Sequence, residues 1–115
     1  MSNFSVTFRE SGPVHILDLQ GDLDAHTAPD FEAAIKRCLE NDNHNIVVHG
    51  TSLDYISSAG LGVFMAYIEE VRERGGDIKI SALKPRVYNV FDLLGFPVLF
   101  DIVETEEAAV EKFSS

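Results

Sequence analysis

Apolar residues in this chain recur with a period that changes repeatedly, from two to between three and four and back. Each change marks a switch between strand and helix. Phe4, Val6 and Phe8 alternate against Ser5, Thr7 and Arg9, the pattern of a half-buried strand. Ser11-Gly12-Pro13 supplies turn chemistry before a second extended run, Val14-His15-Ile16-Leu17-Asp18-Leu19, which predicts an opening hairpin. Thr27-Ala28-Pro29-Asp30 reads as a capped helix entrance, with Thr27 as the cap. Phe31, Ile35, Cys38 and Leu39 then share one face until the helix ends near Asn41. Ile46-Val47-Val48 is a short β-branched strand. A second helix carries Leu61, Phe64, Met65, Ile68 and Val71 on one apolar face and stops at Gly75-Gly76. Ile78 to Ser81 predicts another strand, and Val87, Val90, Phe91 and Leu94 another helix, ended by Gly95. Val98-Leu99-Phe100 reads as a last strand, and Thr105 as the cap of a terminal helix with Val110 and Phe113 facing inward.

Strands separated by helices in this order require crossover connections. The expected fold is therefore α/β (α+β): a mixed, partly parallel sheet with an antiparallel hairpin at its edge and about four helices packed on it. A length of 115 residues and 45% hydrophobic content suit one ordinary domain, read here as residues 2–115. Nine Lys and Arg against nineteen Asp and Glu leave a net charge of -10, which opposes binding to nucleic acids or anionic membranes and directs attention to protein partners. No apolar run is long enough to span a bilayer, so a soluble, cytoplasmic protein is expected. Cys38 is the only cysteine and reads as a core residue, and His15, His26, His44 and His49 lack paired ligand spacing; no metal or cofactor is implied.

Chemistry concentrates in Asp54-Tyr55-Ile56-Ser57-Ser58-Ala59-Gly60-Leu61-Gly62, where two hydroxyls sit between an extended segment and a helix. A helix start offers unpaired N–H groups and the positive end of the macrodipole, a setting that favours an attached anion. From spacing alone, either serine could instead be a structural N-cap. Gly60 and Gly62 lower helix propensity in the first turn. Gly60 reads as bare surface for close approach of a partner, and Gly62 reads equally well as a packing residue. Gly60-Leu61-Gly62 is not a nucleotide fingerprint, because Met65 stands where a third glycine belongs. Ser58, His26 and Asp24 are by type a nucleophile, a base and an orienting acid, but no Gly-x-Ser-x-Gly elbow accompanies them, and no enzyme is expected.

Together with Gly21-Asp22-Leu23-Asp24-Ala25-His26-Thr27, this segment resembles the STAS domain family, and in particular the bacterial anti-sigma factor antagonists. In those proteins a serine is followed one residue later by Gly-Leu-Gly or Gly-Leu-Arg, which Ser58-Ala59-Gly60-Leu61-Gly62 fits. Many of them carry Asp where this chain has Ser57. The resemblance implies a mixed sheet with packed helices over nearly the whole chain. It makes Ser58 the phosphorylation site and places Asp24, from the Gly-x-Leu-Asp motif, close to it. The alternative for Asp24 is a turn residue accepting backbone N–H groups. By the same resemblance, Asp24, Ser57, Ser58, Ala59, Gly60, Leu61 and Gly62 bind an anti-sigma factor or serine protein kinase when unphosphorylated, and a metal-dependent serine phosphatase restores that form. A scaffold or small-molecule-binding module that is never phosphorylated is the other reading that the fold allows.

Overall fold

The computed structural model describes residues 3–114. The chain opens with a hairpin of β1 (Phe4–Ser11) and β2 (Val14–Leu23), paired antiparallel from Phe4 opposite Gly21 to Ser11 opposite Val14. Gly12 makes the turn with φ +60°, a conformation open to glycine at little cost. α1 (Ala28–Glu40), β3 (Asn45–Ile56), α2 (Ser58–Glu73), β4 (Asp77–Ser81), α3 (Pro85–Leu93), α4 (Phe96–Leu99), β5 (Ile102–Val103) and α5 (Glu106–Glu111) follow. The five strands lie in the order β1-β2-β3-β4-β5, and every pair after the hairpin is parallel. The expected mixed sheet with an antiparallel edge is therefore observed.

The two sheet faces are unequal. Leu17, Leu19, Ile46, Val48, Ile78 and Ile80 belong to the main core with α1 to α4, whereas Val14, Ile16 and Val47 form a small second cluster with Ala109 of α5. Adjacent residues of one strand thus enter different cores, and this two-sided burial explains why Ile46-Val47-Val48 is an unbroken apolar run. Phe64 on α2 is the hub of the main core. Its ring centroid lies 5.0 Å from Phe31, 5.6 Å from Phe91, 5.8 Å from Phe100 and 6.2 Å from Phe96, the last three edge-on.

Four expectations need correction. Val98-Leu99-Phe100 is not a strand. Gly95 ends α3 with φ +76°, Pro97 starts a new helical turn, and Phe96 and Phe100, four apart, stack at 5.2 Å inside the core. That i, i+4 burial imposes helical spacing on the segment, and the strand pairing with β4 follows at Ile102–Val103; the described residues carry five helices, in keeping with the expected helical cover. Met65, expected on the buried face of α2, is exposed, as is Leu94 at the end of α3. Thr27 is buried but gives no side-chain cap to α1. The cap expected at Thr105 is present: its Oγ1 accepts from the Ala108 N–H at 3.0 Å.

Candidate functional site

Parallel strands deliver their carboxyl ends to one side of a sheet, and the turns that follow them become neighbours. Asp22 is registered with Tyr55 and Leu23 with Ile56, so the turn after β2 and the entrance of α2 adjoin. The Ser57 N–H donates to the Leu23 carbonyl at 2.9 Å and ties the two together. Asp24 and the Ser57-Ser58 pair, thirty-odd residues apart in sequence, thus lie at adjacent strand ends.

The turn is organised by Asp24. Its Oδ1 accepts from the backbone N–H groups of His26 at 2.9 Å and Thr27 at 3.1 Å. The Thr27 hydroxyl accepts from the Asp24 N–H and donates to the Asp22 carbonyl, both at 2.8 Å. Asp24, rather than Thr27, caps the free amides at this helix entrance, because the Thr27 hydroxyl is turned inward to close the loop. Partial desolvation pushes the Asp24 carboxyl up, but the hydrogen bonds from His26, Thr27 N–H and the Thr27 hydroxyl outweigh it and hold the group below the usual carboxylate range. The carboxylate meets the His26 backbone amide, an arrangement that does not orient the imidazole as a catalytic base.

Neither serine caps α2. Ser57 has extended backbone, with φ -105° and ψ 174°, and its carbonyl accepts the first helical bond from Leu61 N–H at 3.1 Å. Its Oγ is buried without a hydrogen-bond partner among the described residues. Ser58 is the first residue of α2 and is exposed. No acidic residue occupies the first turn of α2, so the positive end of its macrodipole is uncompensated by side chains there.

The glycines exchange their expected parts. Gly60 is buried, and a Cβ there would lie 2.7 Å from Leu23 Cγ and 3.0 Å from Ile56 Cγ1; it is the packing residue. Gly62 is exposed with nothing within 4 Å of an added Cβ, so the bare surface is at Gly62. Leu61 is likewise buried and Ala59 half-buried, which leaves Ser58 and Gly62 as the outward positions of this turn. Two further groups border the site. Tyr55 is exposed one pleat before Ser57, and Asp54 is hydrogen-bonded to Lys84, the residue preceding α3. The Lys84 ammonium, through that bond and its charge, holds the Asp54 carboxyl low. Sequence reasoning missed this link, because two charged residues thirty positions apart on different elements leave no local signal.

Among the described residues, no group of three or more His, Cys, Asp and Glu could hold a metal ion, and no helix is long and apolar enough to cross a membrane. The chain is 33% identical over 97 residues to BtrV of Bordetella bronchiseptica, described as an anti-sigma factor antagonist, with 84% of each chain covered. It is 27% identical over 105 residues to the anti-sigma-B factor antagonist of Listeria monocytogenes, covering 90% of this chain and 92% of the relative. A crystal structure of an anti-sigma factor antagonist from Mycobacterium paratuberculosis superposes with a TM-score of 0.89 at 20% identity, covering 97% of this chain and 95% of the other. The STAS domain model matches residues 5–109, from the first strand into the last helix, and by that match the chain belongs to the STAS domain family.

Proposed function

We propose that this protein is a partner-switching regulator of the anti-sigma factor antagonist type. Unphosphorylated, it binds an anti-sigma factor that is also a serine protein kinase and so releases that kinase's other client; phosphate on Ser58 ends the binding, and a metal-dependent serine phosphatase restores it. The chain acts without catalysis of its own, in the cytoplasm. The observation that carries the reading is the position of Ser58, an exposed hydroxyl on the first residue of a sixteen-residue helix beside the Asp24 turn. Support also comes from relatives described as anti-sigma factor antagonists, and from SpoIIAA of Bacillus, a structural neighbour at a TM-score of 0.72 and 20% identity that was solved in a phosphorylated form.

The contact surface is built from Asp24, Ser57, Ser58, Ala59, Gly60, Leu61 and Gly62. Within it Ser58 and Gly62 meet the partner directly, and buried Gly60 and Leu61 hold the helix entrance in place. The buried Ser57 hydroxyl is the poorer acceptor, since a kinase must bring its donor phosphate in line with an accessible oxygen. The test is incubation with ATP and the cognate kinase followed by peptide fragmentation. One phosphate on Ser58 is expected, lost in Ser58→Ala and retained in Ser57→Ala. Phosphate on Ser57 in the wild-type chain refutes the assignment.

A second reading, an unphosphorylated module that binds a small molecule, draws on a groove of about 460 Å³ lined by Ala82, Leu83, Pro85, Tyr88, Asn89 and Val103 among others. A failure to acquire phosphate with any cognate kinase favours it.

A further inference from the structure

The turn from α3 to α4 leaves four large apolar side chains uncovered within residues 93–99. Leu93 is 83% exposed, Leu94 60%, Val98 88% and Leu99 44%. The same segment turns Phe91, Phe96 and Phe100 into the core, so its outward apolar side chains are not needed to hold it on the domain. Weighted by those exposures, the four present on the order of 500 Å² of apolar surface within seven consecutive residues, in the upper half of what a monomeric protein leaves open in one patch. Two such patches placed face to face cover roughly 1,000 Å², about where a specific interface becomes sustainable.

We propose that this α3–α4 turn is a self-association surface whose occupant is a second copy of the same chain, docked about a two-fold axis. An isologous contact places one patch on its own copy, and four apolar side chains are compatible with themselves without any matching of charge. The rim carries both signs: Asp92 precedes Leu93, and Arg72 donates to the Leu99 carbonyl at 2.5 Å. The position also suits a dimer of a phosphoacceptor protein. α2 runs from Ser58 to Glu73, about 24 Å at 1.5 Å per residue, and Arg72 near its far end meets this turn. Each Ser58 therefore lies about a helix length from the contact, and each copy stays open to its own partner. Each copy carries a charge of -10, so docking brings like-charged bodies together and is held back at low salt.

Sedimentation equilibrium on the purified chain tests this directly. The wild-type protein is expected to dimerise with micromolar affinity, at least threefold more tightly in about 0.15 M salt than in about 0.01 M, where the screening length is roughly 30 Å. Val98→Glu and, independently, Leu93→Lys should each weaken the dimer at least tenfold with unchanged circular dichroism and melting temperature, while Glu69→Ala on α2 should leave it intact. A wild-type chain that stays monomeric up to millimolar concentration overturns the proposal, as does a Val98→Glu dimer as tight as the wild type. A monomer whose kinase binding is lost in Val98→Glu also overturns it, and assigns the patch to that partner instead.

Discussion

The two glycines of α2 differ by two positions, yet replacing each by alanine should move stability in opposite directions. At Gly60 the new methyl would stand 2.7 Å from Leu23 Cγ and 3.0 Å from Ile56 Cγ1. Both neighbours are buried in the main core, and Leu23 meets the methyl through its branch carbon rather than a free end, so relief requires a shift of packed atoms. Overpacking costs about 1–3 kcal/mol, and a contact of 2.7 Å on a branch carbon places this site at about 2–3 kcal/mol; against a gain of about 0.8–1 kcal/mol from replacing a helical glycine, the net loss is about 1–2 kcal/mol. At Gly62 an added Cβ meets nothing within 4 Å, so the helical gain stands alone, at about 0.5–1 kcal/mol. The two variants should therefore differ by about 1.5–3 kcal/mol. Urea unfolding followed by circular dichroism reads this as midpoints separated by about 1–3 M for a slope of about 1–2 kcal/mol per M, with Gly62→Ala above the wild type and Gly60→Ala below. Equal midpoints, or a stabilised Gly60→Ala, would refute the packing argument and return Gly60 to the surface role expected from sequence. The pair also separates folding from recognition, because Gly62→Ala should weaken partner binding in a protein that is more stable.

Ile68, buried on α2, should cost about 2–5 kcal/mol on truncation to Ala, while Glu69→Ala next to it should leave the unfolding free energy from urea titration within about 0.5 kcal/mol of the wild type. Glu106 is hydrogen-bonded and ion-paired to Arg9, which holds its carboxyl below the ordinary value despite some desolvation. Its contribution to stability is therefore complete above that ordinary value, near pH 4.3, and is lost as pH falls through the lower folded value. Glu106→Gln should flatten the acid side of a stability–pH profile measured by thermal melting, and an unchanged profile would count against that pairing. Phosphate on Ser58, adding about -1.5 to -2 charges beside the Asp24 turn, should weaken kinase binding by about 2–4 kcal/mol in calorimetry, with Ser58→Asp intermediate and Ser58→Ala near wild type; equal affinity of the two forms would reject the switch.

Wherever one local pattern acts alone, the fold was legible. The strand at Phe4 and Val6, the turn at Gly12 and the cap at Thr105 each depend on neighbours within a few residues, and each appears as expected, whereas the alternation stops at Phe8, which is exposed while Arg9 is half-buried in its pairing with Glu106. Val98-Leu99-Phe100 misled because a short apolar run fits either period. What decides it is the stacking of Phe96 on Phe100 inside a cluster assembled by Phe64, a fact of tertiary packing. Met65 misled for a related reason: helical spacing sets the direction of a side chain but not how far the covering elements extend. At the candidate site, the motif residues Asp24, Ser57 and Ser58 were visible in sequence because each motif is local. The division of labour among them was not. Gly60 rather than Gly62 packs because Leu23 and Ile56 adjoin across parallel strands, and Thr27 leaves the turn amides to Asp24 because its hydroxyl is taken up by the Asp24 N–H and the Asp22 carbonyl.

The pairing of Arg9 with Glu106 spans 97 positions, and α5 comes after every strand in chain order. During synthesis the five strands are therefore made before the helix that roofs their second face. Until α5 docks, Val14, Ile16 and Val47 face water as an apolar strip, and Arg9 on the outermost strand has only Asp18 to hold it. A released chain that ends before residue 106 is thus a sheet with one sticky side and a loosely anchored edge, a substrate for chaperones and for strand-to-strand aggregation. Completion of a six-residue helix converts it into a finished domain.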